Sequence, residues 1–162
     1  DYRAPQHYPR QSIASASTHD LPTLTGFWSA GDLQLGEKIG LYPDAQTVLN
    51  LQQQRMKQKQ ALLDALHKAG AVPARSAKRA DSLAMTAELN QSVHRFLADT
   101  NSALLGLQPE DWLGMTTPVN VPGTVEQYPN WRRKLAQPLE SIFADEEVNK
   151  LLKTVTKRRK AG

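Results

Sequence analysis

The sequence predicts an α/β fold that is rich in helix and contains two short parallel strands. Two runs of small and apolar residues, at 12–17 and 102–107, have the composition of short buried strands. Helical periodicity fills the chain between them, and a polar loop follows each run. Strands connected through helices lie parallel with a right-handed crossover, so both polar loops are expected at the same edge of the sheet.

The first strand leads directly into a group of polar residues. Residues 1–10 contain two prolines and predict an extended connection to the strand at 12–17. Pro22 disfavours helical geometry at the residue before it and suits the first turn of a helix. We therefore expect a sharp loop before a helix, with His19 and Asp20 at the C-terminal end of the strand.

A long helix is predicted from Asp44 to about Lys68. Asp44 suits the N-cap position, and Gly70 suits the termination of the helix. Residues 70–82 are predicted to form a loop. Apolar residues that recur every seven positions predict the buried stripe of this helix, at Leu49, Met56 and Leu63.

A second helix is predicted to begin after Thr86, as its N-cap, and to end near Thr100. The strand at 102–107 follows it. Glu110 and Asp111 could imitate a catalytic pair, but after a proline they suit the first turn of a helix, and we interpret them as structural. Four apolar side chains at helical spacing predict the buried face of the second helix, at Leu89, Val93, Phe96 and Leu97.

The C-terminal third of the chain is predicted to hold a long loop and a final helix. Residues 115–130 contain three prolines and Gly123 without a usable period, and ordered loops of this length tend to be functional. The final helix is expected to begin near 145–147 and to end in the basic cluster at 157–160, an arrangement that favours the helix dipole. Its predicted buried residues are Val148, Leu151, Leu152 and Val155.

The composition describes a folded polypeptide with one core. Of 162 residues 40% are hydrophobic, and much of the net charge of +4 lies in residues 157–160, which we interpret as a solvated helix end. There is no cysteine, so a disulfide framework or thiolate site is not indicated and a cytoplasmic protein is expected. No apolar stretch approaches the roughly 20 residues that cross a bilayer. The chain begins at Asp1 without methionine, which indicates a cut inside a longer protein.

Two parallel strands cannot close a sheet by themselves, so this chain is expected to complete a larger structure. A (β/α)₈ barrel is one candidate, because its active site lies in the loops at the C-terminal ends of the strands, where His19, Asp20 and residues 108–123 are expected. A doubly wound sheet would place its loops in the same relation to the strands.

Four sequence stretches resemble a known enzyme family. They read STHDLPT at 17–23, LQPEDWLG at 107–114, NVPGT at 120–124 and NWRRK at 130–134. Their order and spacing are similar to those of the closing region of bacterial amylomaltases, which are 4-α-glucanotransferases. The helices between these stretches most resemble the enterobacterial form. The resemblance extends over essentially the whole chain.

The resemblance implies a fold and an activity. Residues 1–162 would form the C-terminal portion of a (β/α)₈ barrel, comprising its last two strands, their helices and the closing C-terminal helix. The enzyme would transfer α-1,4-glucan segments between maltooligosaccharides by a retaining double displacement. Its aspartate nucleophile and glutamate acid/base would lie upstream, in the N-terminal remainder of the enzyme, so the isolated fragment is expected to be inactive. No organic cofactor, metal, nucleic acid or membrane partner is implied.

The resemblance also assigns roles to three residues. Asp20 would be the third family carboxylate, which accepts hydrogen bonds from ring hydroxyls of the sugar at the cleaved bond. His19 would donate a hydrogen bond to the same sugar as a neutral imidazole. Asn120 would offer both donors and an acceptor to sugar hydroxyls. Pro122 and Gly123 are expected to shape the loop that carries it.

Several residues have a structural alternative. An Asp after a strand is often a helix N-cap, which is the alternative role of Asp20. The tryptophans could stack on sugar rings, although structural packing is the favoured interpretation for Trp28, Trp112 and Trp131. The basic residues at 132–134 are explained by an exposed helical face.

For the whole chain, two alternatives stay open. One is a noncatalytic helical module that binds a partner protein or nucleic acid through its basic terminus. The other is a carbohydrate-binding module that uses tryptophans without chemistry.

Overall fold

The computed structural model describes residues 2–160, apart from the side chain of Lys160. Within that range two three-residue strands are embedded among seven helices and two 3₁₀ turns. The strands are β1 (Ile13–Ser15) and β2 (Leu104–Gly106), and the 3₁₀ turns are Pro5–His7 and Ala80–Ser82. The helices are α1 (Leu24–Ser29), α2 (Gly31–Lys38), α3 (Ala45–Lys68), α4 (Ala87–Ala98), α5 (Pro109–Trp112), α6 (Leu139–Ala144) and α7 (Glu146–Lys160).

The two strands are parallel and adjacent, as predicted. Ala14 lies opposite Leu105 in the ladder, and Ala14 is buried against the helices. The flanking pair Ile13 and Leu104 points to the other face, where each residue is 64% exposed. The polar loops that follow β1 and β2 therefore meet at the same edge of the sheet, which confirms the predicted arrangement.

The predicted helix starts are confirmed by capping hydrogen bonds. The Asp44 carboxylate accepts from the Thr47 amide at 2.6 Å, and this bond lowers the pKa of Asp44. The Thr86 hydroxyl accepts from the Leu89 amide at 3.2 Å at the start of α4. Each cap satisfies an amide that has no partner within its own helix.

The predicted buried stripe of α3 was wrong in its first half. Leu49 is 50% exposed and Met56 is 40% exposed, whereas the residues one position earlier, Val48 and Arg55, are buried. The guanidinium of Arg55 donates to both carboxylate oxygens of Asp32 at 2.7 Å each and lies over the ring of a neighbouring phenylalanine. A paired arginine can thus take a core position that an apolar pattern assigns elsewhere.

The main core lies between α3, α4 and α1. The four residues predicted for the face of α4 are all buried in it, together with the C-terminal half of α3 and with Trp28. A smaller cluster joins the end of α4, at Ala98, to Leu151 and Val155 of α7. Because α4 contributes to both clusters, it connects the N-terminal and C-terminal parts of the chain.

The final helix begins at Glu146, as predicted, and buries three of its four expected residues. Val148, Leu151 and Val155 are buried, whereas Leu152 is half-buried. Helix α6, directly before it, was not predicted. Residues 132–134 were expected on a helical face, but they lie in an irregular segment.

Two residues of the basic cluster are bound within the chain. Arg158 pairs with Asp99. Arg159 donates to the carbonyl of Ser102 at 2.7 Å, and also to the carbonyls of Thr100 and Ala103, in the turn before β2. The side chain of Lys160 lies outside the described residues. This pairing disfavours the nucleic-acid alternative, because those guanidinium groups are already committed to the protein. In residues 2–160 no helix is both long and apolar enough to cross a membrane.

Candidate active site

The candidate site lies where two loops meet at the C-terminal edge of the strands. We call residues 16–23, which follow β1, the first loop, and residues 113–138, which follow α5, the long loop. The long loop contains no helix or strand, which confirms the prediction for residues 115–130. In parallel α/β structures this edge is where ligand sites are commonly built.

The three residues proposed from the sequence come together here. Asn120 Nδ2 donates a hydrogen bond of 2.6 Å to Asp20 Oδ1, across 100 positions of the chain. His19 Nε2 lies 3.3 Å from Asp20 Oδ2, and the side chains of His19 and Asp20 are 55% and 51% exposed. The amide, carboxylate and imidazole form one solvent-facing group that can both donate to and accept from the hydroxyls of a ligand.

Asp20 is not the cap of the following helix, so the structural alternative for it was wrong. The N-cap of α1 is Thr23, whose hydroxyl accepts from the Gly26 amide at 3.0 Å. Pro22 therefore precedes the cap instead of lying in the first helical turn. The Asp20 carboxylate is free to face solvent and Asn120, since no helix terminus requires it.

A buried carboxylate fixes both ends of the first loop. Asp111, only 1% exposed, accepts from the Ser17 hydroxyl at 2.5 Å and from the Leu24 amide at 2.7 Å. Burial raises the pKa of Asp111, while those two hydrogen bonds oppose the rise. The predicted placement of Asp111 in the first turn of a helix is confirmed, but its hold on the first loop was missed. That hold depends on hydrogen bonds to residues 94 and 87 positions away in the chain, which local sequence patterns do not show.

Thr23 joins the first loop to the long loop. Its hydroxyl donates to the carbonyl of Met115 at 2.5 Å. The backbones approach so closely that a Cβ on Gly26 would lie 2.6 Å from the carbonyl oxygen of Thr116. The glycine is thus required by close packing between α1 and the start of the long loop.

A tight turn and one asparagine hold the middle of the long loop. The Thr124 amide donates to the Val121 carbonyl at 3.2 Å, and Gly123 has a φ of +84°, as a type II turn with Pro122 before it requires. Asn130 Oδ1 accepts from the Val121 amide at 2.8 Å, and its Nδ2 donates to the backbone and side-chain oxygens of Thr124. The expected shaping role of Pro122 and Gly123 is confirmed.

Arg133 connects the long loop to α5 and to the loop's own backbone. Its guanidinium lies 3.4 Å from Glu110 Oε1 and donates to the carbonyl of Pro118 at 3.3 Å, and both charged side chains are almost buried, at 13% and 12% exposure. Tyr128 donates to the same carbonyl at 2.6 Å. The structural interpretation of Glu110 fits this ion pair, whereas an exposed helical face does not describe Arg133.

The three tryptophans differ in their surroundings. Trp28 is 2% exposed and donates to the Leu83 carbonyl at 2.8 Å, and Trp112 packs against the smaller core cluster, so both fit structural packing. Trp131 is 62% exposed, and its ring centroid lies 5.1 Å from that of His19.

Trp131 also has a φ of +62°, a left-handed conformation that costs a bulky residue about 1–3 kcal/mol. Within the described residues, the exposure of Trp131 does not fit the structural packing that was the favoured interpretation. The available signal was a tryptophan within an aperiodic loop, away from any apolar pattern that would give it a core position. Among residues 2–160 no three His, Asp or Glu side chains are grouped so as to hold a metal ion.

Comparisons with known proteins relate this chain to a family. A family model described as 4-alpha-glucanotransferase matches residues 1–140. The 4-alpha-glucanotransferase of Haemophilus influenzae is 41% identical over 139 residues, covering 86% of this chain and 20% of the relative. That of Mycobacterium tuberculosis is 31% identical over 154 residues, covering 88% and 20%. The chain thus spans about a fifth of the length of these curated relatives.

A solved structure agrees with the sequence relatives. The crystal structure of amylomaltase from Corynebacterium glutamicum superposes with a TM-score of 0.83 at 26% identity, over 94% of this chain and 23% of that one. Since the family model matches well over half of the residues, the chain belongs to the 4-alpha-glucanotransferase family.

Proposed function

We propose that residues 1–162 are the C-terminal part of the catalytic (β/α)₈ barrel of an amylomaltase, which transfers α-1,4-glucan segments between maltooligosaccharides. The observation that carries the proposal is the hydrogen bond from Asn120 to Asp20, beside His19, at the C-terminal edge of two parallel strands. The family membership of the chain supports the choice of substrate.

The exposed apolar face of the sheet supports the assignment to a barrel. Ile13 and Leu104 form an apolar pair that is 64% exposed at each residue, and β1 and β2 each have a neighbour on one side only within the described chain. Barrel strands are covered by neighbouring strands and by the side chains of the barrel interior. We therefore assign β1 and β2 as the last two barrel strands, and α7 as the closing helix.

In the proposed reaction, most of the bond making belongs to the rest of the enzyme. An aspartate attacks the anomeric carbon of the donor, and the leaving glycosidic oxygen takes a proton from a glutamic acid. The hydroxyl of an acceptor sugar then attacks the glycosyl-enzyme bond and gives its proton to the same glutamate. The aspartate leaves with the bonding electrons, so the anomeric configuration is retained.

Asp20 serves this reaction by binding the ring that is distorted at the cleaved bond. Its carboxylate accepts hydrogen bonds from ring hydroxyls, and such bonds strengthen as the oxocarbenium-like transition state forms. His19 donates a hydrogen bond to the same sugar through a ring N–H. The Asn120 amide donates to Asp20, so a sugar bound at Asp20 also lies within reach of the Asn120 side chain.

The test uses the complete enzyme, meaning the longer polypeptide that carries residues 1–162, with maltotriose as substrate. Asp20→Asn should lower kcat by about 10²–10⁴-fold with little change in ground-state binding, since the lost interaction is worth several kcal/mol mainly in the transition state. Glucose and longer glucans are quantified as products. The control is Asp81→Asn, at a carboxylate with 44% side-chain exposure on a 3₁₀ turn outside the two loops of the site, which should leave turnover unchanged.

Two results would contradict the proposal. Near-normal turnover of the Asp20→Asn enzyme would remove Asp20 from the mechanism. Appreciable turnover by the 162-residue chain alone would contradict the assignment of nucleophile and acid/base to the remainder of the enzyme, because the covalent route requires both.

A further inference from the structure

Trp131 combines exposure with a strained backbone, and the surrounding chain enforces that combination. The residue is 62% exposed, and its φ is +62°, a region that bulky side chains rarely adopt. A residue stays in such a conformation only where its surroundings determine it, and positions of this kind concentrate at ligand sites.

The hydrogen bonds around Trp131 fix its backbone on both sides. The Trp131 amide donates to the Val119 carbonyl at 3.1 Å, and the next amide, of Arg132, donates to the Pro129 carbonyl at 3.3 Å. The residue before it, Asn130, is held by its side chain through bonds of 2.8–3.0 Å. The indole is therefore presented to solvent by a rigid support.

The position of the indole relates it to the polar group of the site. Its ring centroid lies 5.1 Å from that of His19, with the two planes inclined by 43°. His19 in turn contacts Asp20, and Asp20 accepts from Asn120. A flat apolar surface beside donors and acceptors matches a pyranose ring, which has an apolar face of C–H groups and hydroxyls along its rim.

We propose that the indole of Trp131 stacks on the apolar face of a glucosyl ring of an α-1,4-glucan bound next to His19 and Asp20, and that this contact sets the affinity for glucan. The inference rests on the proposed function for its choice of sugar. It assigns to Trp131 a role in ground-state binding, whereas Asp20 acts mainly on the transition state.

The test compares three variants of the complete enzyme with maltotriose. Trp131→Gly removes the indole and also relieves the positive φ, because glycine adopts that region without strain. It should raise KM about five- to tenfold, the size of a stacking contact, while its Tm stays equal to or above that of the parent. Trp131→Phe should retain part of the affinity. Phe143→Ala, which removes an aromatic residue that is 58% exposed on α6, should leave KM unchanged.

The outcomes separate this inference from the proposed function. If Trp131→Gly leaves KM unchanged while Asp20→Asn abolishes turnover, the stacking role is wrong and the proposed function stands. If Trp131→Gly lowers both Tm and kcat, the residue is structural and the inference is also wrong.

Binding of maltotriose, measured by calorimetry, covers the remaining results. Affinity that depends on Trp131 but not on Asp20, in a protein without transfer activity, would support the stacking contact and refute the enzymatic proposal. A complete protein that neither binds nor converts maltotriose would refute both.

Discussion

The carboxylate of Asp111 accepts a hydrogen bond from the hydroxyl of Ser17 at 2.5 Å, across 94 positions of the chain. The same carboxylate accepts from the Leu24 amide, so both ends of the loop that presents His19 and Asp20 are tied to one buried group. Asp111 thus holds the site in place although it is buried and does not face the solvent where a ligand would bind.

Replacing Asp111 should lower the stability of the folded chain. Asp111→Ala leaves two buried donors without an acceptor, and we expect it to lower the free energy of unfolding by about 2–5 kcal/mol. Urea denaturation measures this effect. Asp64→Ala, at an exposed carboxylate on α3, is the control and should cost less than about 0.5 kcal/mol. Equal losses in the two variants would contradict the role of Asp111.

The stability of the protein should depend on pH through His94. This residue is 1% exposed, and burial lowers its pKa below the ordinary value of 6.5, because the charged imidazolium is disfavoured there. The contribution of neutral His94 is fully present above pH 6.5 and is lost as pH falls through the lowered pKa. Denaturation curves between pH 8 and pH 4 should show this loss, and His94→Gln should reduce it. Parallel pH profiles for both proteins would contradict the prediction.

The close approach of α1 to the long loop should not tolerate an added methyl group. In Gly26→Ala the new Cβ would meet the carbonyl oxygen of Thr116 at 2.6 Å, so α1 or the loop must move. We expect a loss of about 1–3 kcal/mol of unfolding free energy. Gly31→Ala, in which the nearest atom is the Ser29 hydroxyl at 3.3 Å, is the matched control with a smaller effect. A stabilised Gly26→Ala protein would show that the contact relaxes freely.

The buried ion pair of Arg55 should be more sensitive to loss of one partner than of both. Arg55→Met leaves the Asp32 carboxylate, 19% exposed, without its bidentate partner, and should cost about 2–4 kcal/mol. The double variant Arg55→Met with Asp32→Asn should recover part of that loss, because no unpaired charge remains. Thermal unfolding of the parent protein and of both variants measures these losses. A double variant that is less stable than Arg55→Met would contradict this account.

The parts of the fold that depend on local signals could be predicted from the sequence. Asp44 and Thr86 cap the helices that they were expected to cap, because a capping bond joins residues three positions apart. The four apolar residues of α4 are buried, as their period predicted, whereas the burial of Asn90, Ser92 and His94 on the same helix was not predicted. The parallel strands followed from the helices between them.

The rest depends on contacts between distant positions. The buried face of α3 includes Arg55, which pairs with Asp32 on another helix, and an apolar pattern does not reveal a charged residue at a buried position. Asp20 and Asn120 could be nominated by resemblance, but their mutual hydrogen bond is a property of the folded loops. The exposure of Trp131 likewise depends on the hydrogen bonds that its backbone makes within the folded long loop.

The bare apolar pair of Ile13 and Leu104 has a consequence for the chain when it is produced by itself. Both strands of the described sheet are edges, and unpaired backbone groups beside an exposed apolar surface form a template on which further strands can add. We expect self-association of the 162-residue chain to increase with concentration, and a lysine at Ile13 or Leu104 to keep the chain in solution as separate molecules.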